Sequence, residues 1–298
     1  MARIGFIGAS GLMGHGMAKN LLAKGHTLAL TVHRRRERVA DLLSAGAHEA
    51  ADAAALARAS EIVFVCVTGT PQVEAAVLGE HGLLAGAQAG LVIVDCSTSE
   101  PESTARLRER AAAQGVTFVD APLSRTPLEA EAGRLNIMVG AEAQVLARLR
   151  PLLEAFAENV VHAGGPGAGH TLKLLNNFIG QAICTATAEA FAVGRRAGID
   201  LARLVELISA GPVDSALFQG MAQTLRGRLD GVKFGLDNAR KDLRYYTHLA
   251  EGLAVPSVMG EAVHQSLVLA SALGHGSKYV PSLVEAQEQL SGAKIVPR

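Results

Sequence analysis

The chain has 298 residues, about two domains at roughly 150 residues each. Hydrophobic residues make up 49%, enough for a sizeable core and too many for a disordered chain. The 28 Lys+Arg balance 28 Asp+Glu, so there is no basic excess for a nucleic acid or a membrane surface. Thirty-two glycines, 4% aromatics and no Trp describe a chain of small aliphatic residues with many tight turns.

Taken in chain order, residues 3–7 read as a strand and 13–24 as a helix, followed by strands over 28–32, 62–67, 91–95, 117–120 and 136–139. Helical stretches at 36–45, 71–78, 101–114 and 143–157 lie between or after them. Such alternation requires right-handed crossovers and hence a largely parallel sheet covered on both faces. After Gly164-Gly165-Pro166-Gly167 no convincing strand follows. A long helical pattern spans 171–197, with Leu172, Leu175, Ile179, Ile183, Ala186 and Ala190 as its apolar stripe and Gly198 as its stop. Further helices are predicted at 201–209, 218–229, 236–252, 258–273 and 282–290. The expectation is an α/β Rossmann-type domain over 1–163 and an all-α domain over 164–298, hinged at the Gly/Pro segment.

Cys66, Cys96 and Cys184 have no disulfide or metal-ligand spacing and read as buried free thiols. The histidines show no zinc pattern, so no metal is expected. No basic leader with a long apolar stretch opens the chain, and no run of 18 apolar residues occurs, which makes a soluble cytoplasmic protein the expectation.

Gly8-Ala9-Ser10-Gly11-Leu12-Met13-Gly14 lies between the first strand and the first helix. Glycines there let the backbone approach a pyrophosphate, whose charge then sits at the helix N-terminus. Gly8, Ser10, Gly11, Leu12 and Met13 are therefore candidate dinucleotide contacts, although the spacing GxxGxxG is one residue longer than the common fingerprint. At the end of the second strand an acidic residue would favour NAD(H), but the chain has His33-Arg34-Arg35-Arg36. A guanidinium fork suits a 2′-phosphate, so NADP(H) is the expected cofactor, NAD(H) the alternative, with Arg34 foremost and His33 and Arg35 beside it. A solvated start to the next helix would leave the same residues.

Four segments in this order carry a resemblance: Gly5-Phe6-Ile7-Gly8 through Asn20-Leu21; Asp120-Ala121-Pro122-Leu123-Ser124 with the segment Gly133 to Gly140; Gly164 through Lys173 to Asn176-Asn177; and Lys241-Asp242-Leu243. With them the chain resembles the β-hydroxyacid dehydrogenase family over nearly its full length. That family includes 3-hydroxyisobutyrate dehydrogenases, tartronate semialdehyde reductases and sulfolactaldehyde reductases. The resemblance implies Lys173 as the catalytic residue: its ammonium would stabilise and protonate the alkoxide left by hydride transfer to a carbonyl, and its neutral form would accept the alcohol proton in reverse. Helical spacing puts Asn176 and Asn177 beside Lys173 as a polar flank expected to wall the substrate site, with Asn177 helping to anchor the substrate acid.

In the family a Ser-Gly-Gly segment binds the substrate acid. Here the counterpart is Ser124-Arg125-Thr126, which loses both glycines and adds a guanidinium for a small anionic head group. One branch of the family carries a similar Gly-Arg-Thr and uses the arginine on a sulfonate, but this chain has Gly180 where that branch would have a serine. A carboxylate and a sulfonate both stay open, as does a surface ion pair for Arg125. The resemblance further places Val67, Thr68 and Thr98 along the nicotinamide and Lys241 near cofactor and substrate, where the residues alone allow an interhelix ion pair with Asp242. It also implies a homodimer or homotetramer. An imine reductase of the same fold, or a non-catalytic NADP-binding protein, are the competing functions.

Overall fold

The computed structural model describes residues 1–33 and 35–297; Arg34 lies outside the described residues. The chain forms two compact units, Met1–Lys173 and Leu174–Arg298. The division falls within the long helix, beyond the Gly164–Gly167 segment expected to separate the domains.

In the first unit the elements run β1 (Arg3–Ile7), α1 (Gly14–Ala23), β2 (Thr27–Thr31), α2 (Ala40–Ser44), β3 (His48–Glu49), α3 (Ala53–Ala59), β4 (Ile62–Val65), α4 (Thr70–Leu78), α5 (Leu83–Gly86), β5 (Val92–Asp95), α6 (Pro101–Ala112), β6 (Thr117–Asp120), β7 (Leu123–Ser124), α7 (Pro127–Glu131), β8 (Leu135–Gly140), α8 (Ala143–Leu153), β9 (Ala157–Gly164) and the start of α9 (Ala168–Arg196). The described strands form one sheet in the order β3-β2-β1-β4-β5-β6-β8-β7, with β9 also on β8. The first six of these are parallel, β8 runs antiparallel to β6 and β7, and β9 is parallel to β8. Strand order reverses between β1 and β4, which in open α/β sheets is the crevice where ligands collect.

Burial explains the strands. Ile62 to Val65 and Val92 to Asp95 are buried throughout, as central parallel strands covered on both faces must be. On α1, Met17, Ala18 and Leu21 enter the same core as Phe6, Leu28 and Leu30.

Three strands escaped the sequence pattern. β3 and β7 have only two residues each. β9 alternates nothing: most of its residues are exposed or half-buried, and backbone pairing with β8 holds it. The helix expected to reach 157 stops at Leu153 for the same reason, since Ala157 already pairs with Leu135. The helix expected over 36–45 opens as a 3₁₀ turn, Arg36–Val39, before α2.

α1, α2 and α7 are joined by one side chain. His15 hydrogen-bonds Glu131 through Nδ1 at 2.6 Å and reaches Asp41 through Nε2 at 3.1 Å, while Lys19 pairs with Glu131 at 3.1 Å. Burial lowers the His15 pKa, but its hydrogen bonds to Glu131 and Asp41 outweigh that and raise it above the ordinary 6.5. A group with a raised folded pKa contributes fully below its unfolded value, and the contribution fades as pH rises through the folded one. His15→Gln should therefore cost more thermal stability at about pH 5.5 than at about pH 8.5. Melting curves of both proteins at the two values test this; a gap independent of pH would remove His15 as the source.

The second unit contains the rest of α9 and α10 (Leu201–Ser209), α11 (Ala216–Ala222), α12 (Leu236–Gly252), α13 (Val258–Ala270) and α14 (Leu283–Ser291). Its described residues form no ladder beyond an isolated bridge, Gly235 to Tyr279. Phe191, Phe218, Met221, Leu243, Val263, Leu267 and Val284 form its core, and Phe178 stacks on Tyr246 at 4.2 Å. α13 does not continue as an α-helix to 273: the chain widens into a π turn, Ser271–His275, where Gly274 takes a φ of 93°.

The apolar stripe expected on α9 is corrected. Leu175 and Ile179 are exposed, as are Ala186 and Ala190, whereas the core receives Leu174, Cys184, Ala188 and Phe191, with Asn177, Gln181 and Thr185 buried among them. Both faces are mixed: of the expected stripe Ile183 packs against the core and Leu172 is half-buried, so spacing by three and four selected the buried face only in part. Cys96 and Cys184 are buried free thiols as expected, with Cys66 half-buried. Burial pushes the Cys184 thiol up to about 12. Among the described residues no helix is long and apolar enough to cross a membrane.

Candidate active site

The glycine loop closes through backbone bonds: Gly11 N–H donates to the Gly8 carbonyl at 2.9 Å, and His15 N–H to the Gly11 carbonyl at 3.1 Å. Gly8 holds a φ of 95°, and a Cβ there would lie 2.0 Å from the Cys66 carbonyl oxygen. Only glycine satisfies both the left-handed backbone and that approach. A Cβ on Gly14 would lie 2.3 Å from the Gly8 carbonyl, so the start of α1 packs directly on the turn. These are features a pyrophosphate cradle requires, and the residues fit a dinucleotide.

Strand register gathers the other cofactor candidates. Ile7 pairs with Val65 and Val65 with Asp95, so the loops after β1, β4 and β5 leave the sheet side by side. Ser10, Gly11, Leu12 and Met13, then Val67 and Thr68, then Thr98 thus line one edge. Val67 N–H donates to Ser97 Oγ at 2.9 Å, tying the second loop to the third. His33 and Arg35, after β2, are exposed. Arg36 pairs with Glu49 on β3. The foremost candidate for a 2′-phosphate, Arg34, lies outside the described residues.

Ser124 sits in β7 opposite Asn136 of β8. Arg125 adopts a φ of 84°, a left-handed conformation that costs a side-chain-bearing residue on the order of 1–3 kcal/mol. The backbone thus keeps a glycine-like conformation without the glycine. Its guanidinium, read from the sequence as an anion fork or a surface ion pair, is paired with Glu158 of β9 and donates to the Arg134 carbonyl at 2.5 Å. Thr126 is likewise occupied: it caps α7, and the Glu129 carboxylate accepts from both its hydroxyl and its N–H, the latter at 3.0 Å. A proline at the next position and a glutamate three residues after Thr126 are the capping signals that identify this role.

Lys173 is half-buried on α9, three residues after His170. The start of α9 is held by groups that spacing did not reveal. The Asp120 carboxylate, at the end of β6, accepts from Gly167 N–H at 2.7 Å and His170 N–H at 2.9 Å. The His170 ring is fully buried, 2.7 Å from Thr104 Oγ1 through Nδ1 and 3.6 Å from Asp95 through Nε2. Asp95 in turn accepts from Ser97 N–H at 2.8 Å and Ser99 Oγ at 3.0 Å. The Gly164 carbonyl accepts from Ala141 N–H, so the glycine segment is fastened to the sheet rather than free.

In the second unit, Asn177 is buried and donates through Nδ2 to Asp242 at 2.6 Å, and Asn176 donates to Asn177 Oδ1 at 3.2 Å. Lys241 lies 2.9 Å from the Asp242 carboxylate and 5.0 Å from the Tyr245 ring centre. Asn177, expected on the substrate acid, thus joins α9 to α12, while Asn176 is exposed. No group of three His, Cys, Asp or Glu among the described residues could hold a metal ion.

A family model described as the NAD binding domain of 6-phosphogluconate dehydrogenase matches residues 3–164. A second, described as NAD-binding of NADP-dependent 3-hydroxyisobutyrate dehydrogenase, matches 167–286. The chain is 34% identical to 2-hydroxy-3-oxopropionate reductase of Escherichia coli strain K12, over 98% of this chain and 99% of the relative. It is 31% identical to 3-sulfolactaldehyde reductase of the same organism, over 96% and 95%. The crystal structure of 3-hydroxyisobutyrate dehydrogenase from Salmonella typhimurium superposes with a TM-score of 0.81 at 25% identity, covering 96% of this chain and 99% of that one.

Proposed function

This chain belongs to the β-hydroxyacid dehydrogenase family of NAD(P)-dependent oxidoreductases, and on that premise we propose that it interconverts a short β-hydroxy acid, or a sulfonate analogue, and its semialdehyde with NADP(H). The observation that carries the reading is the placement of Lys173. The lysine lies near the start of α9, a helix whose first turn is hydrogen-bonded to the carboxyl end of the sheet that carries the glycine loop.

When bound, the nicotinamide supplies a hydride to the carbonyl carbon or takes one from the alcohol carbon. Gly8, Gly11 and Gly14 would hold the pyrophosphate, and the loops containing Val67, Thr68 and Thr98 would flank the ring. Lys173 would donate its proton to the carbonyl oxygen during reduction and recover one from the alcohol during oxidation. The Ser124 hydroxyl would hold the acid group. Arg125 would join it by exchanging the Glu158 carboxylate for that of the substrate, a swap between like anions that leaves the guanidinium paired throughout. The basic run His33 to Arg36 supports the 2′-phosphate form of the cofactor, as does the NADP-dependent enzyme for which the second matching model is described.

A panel of C3–C5 semialdehydes, sulfolactaldehyde and cyclic imines, each assayed with NADPH and NADH, tests the proposal. The expected result is oxidation of NADPH by an acid-bearing aldehyde, with kcat/KM at least about tenfold above that with NADH. Turnover of imines alone, or cofactor binding without turnover, would sink it.

A further inference from the structure

A helix leaves its first four N–H groups without intrahelical partners, and a nearby side chain normally caps them. α9 cannot do this locally, because Gly167 precedes its first residue, Ala168, and has no side chain. The cap comes from 47 residues away: both Asp120 carboxylate oxygens are used, one on Gly167 N–H and one on His170 N–H. Asp120 is 1% exposed, so this anion meets the positive end of a 29-residue helix out of solvent. The contact admits no spacer. A Cβ on Gly169 would lie 2.5 Å from the Met138 carbonyl oxygen and 2.8 Å from that of Asp120. The His170 ring adds a second anchor, between Thr104 on α6 and Asp95 at the end of β5.

We propose that Asp120 is a positioning residue for Lys173, fastening the first turn of α9 to the sheet so that the ammonium moves with the nucleotide-binding unit. The proposal rests on the acid/base reading of Lys173. Lys173 follows the capped His170 N–H by three residues, about 4.5 Å along the axis, so freedom at the cap passes directly to the lysine.

Asp120→Asn keeps one acceptor but turns an N–H₂ toward the other amide. Misplacement of a reacting group by about 1 Å costs roughly 100-fold, so kcat should fall by about 10- to 100-fold. NADPH affinity and the substrate KM should stay within about twofold, as expected of an interaction made through the transition state. Gly169→Ala, which keeps the carboxylate but forces the turn off the sheet, should show the same split. On a Lys173→Ala background, followed in single turnovers with excess enzyme, Asp120→Asn should add less than about twofold, because the residue through which it acts is gone.

Wild-type kcat in Asp120→Asn would overturn the proposal. So would an equal loss with and without Lys173, or a parallel loss of NADPH binding, either of which marks a merely structural role. If Lys173→Ala itself keeps wild-type turnover, the acid/base reading fails first and Asp120 has nothing to position. An impaired Lys173→Ala beside an unimpaired Asp120→Asn removes Asp120 alone.

Discussion

Lys173→Ala should reduce kcat by about 10²–10⁴-fold, the range that a positioned general acid or base contributes. NADPH binding should survive, since Gly8, Gly11 and Gly14 are untouched. The size of the effect follows from the reaction. Hydride arriving at a carbonyl carbon places a full negative charge on oxygen, and without the ammonium that charge must be met by water. Lys173→Arg separates the two services of the residue. A guanidinium keeps the positive charge but does not release its proton near neutral pH, so it should recover less than Lys provides. Stopped-flow measurement of NADPH consumption under saturating aldehyde reads the chemical step directly. A Lys173→Ala enzyme with unchanged kcat on every accepted substrate would end the assignment.

The second large effect is expected at the nucleotide loop. Gly8→Ala introduces a Cβ 2.0 Å from the Cys66 carbonyl oxygen at a φ of 95°. The left-handed backbone alone costs a non-glycine residue roughly 1–2 kcal/mol, and the overlap with backbone cannot be relieved by a side-chain rotation. The turn between β1 and α1 must move away from the end of β4, and the phosphate cradle moves with it. NADPH affinity should fall by at least about 100-fold, with a clear drop in melting temperature. Gly11→Ala provides the contrast: its Cβ would lie 3.1 Å from the Gly8 carbonyl oxygen, at a backbone angle open to any residue. Its stability loss should be the smaller. Equal affinities for NADPH in Gly8→Ala and the unmodified protein, measured by nucleotide fluorescence titration, would show that this loop is not the nucleotide site.

Much of the first unit was legible because its signals are local. The β-branched runs of β1, β4, β5 and β6 are short, apolar and punctuated, and each appears within a few residues of its expected place. The helices 201–209 and 236–252 coincide with α10 and α12. Where residues serve distant partners, the pattern misled. Leu175 and Ile179 look like a core stripe but are exposed, while the polar Asn177 is buried because Asp242, 65 residues away, satisfies it. Arg125 reads as an anion fork or a surface ion pair, and its partner Glu158 lies on a strand that leaves no alternating pattern.

The amino-acid sequence by itself determined the Rossmann-type alternation of strands and helices, the glycine loop between the first strand and the first helix, and the helical second half. Each of these depends on spacings of two, three or four residues or on the backbone freedom of glycine, which neighbouring positions carry. Only the tertiary structure decided that the Gly164 to Gly167 segment and the first turn of the long helix are bolted to the sheet. That outcome depends on Asp120, Thr104 and Asp95 each meeting His170 across separations of 50 to 75 residues. The physical reason is that a helix cap supplied from a strand leaves no periodic trace in either segment.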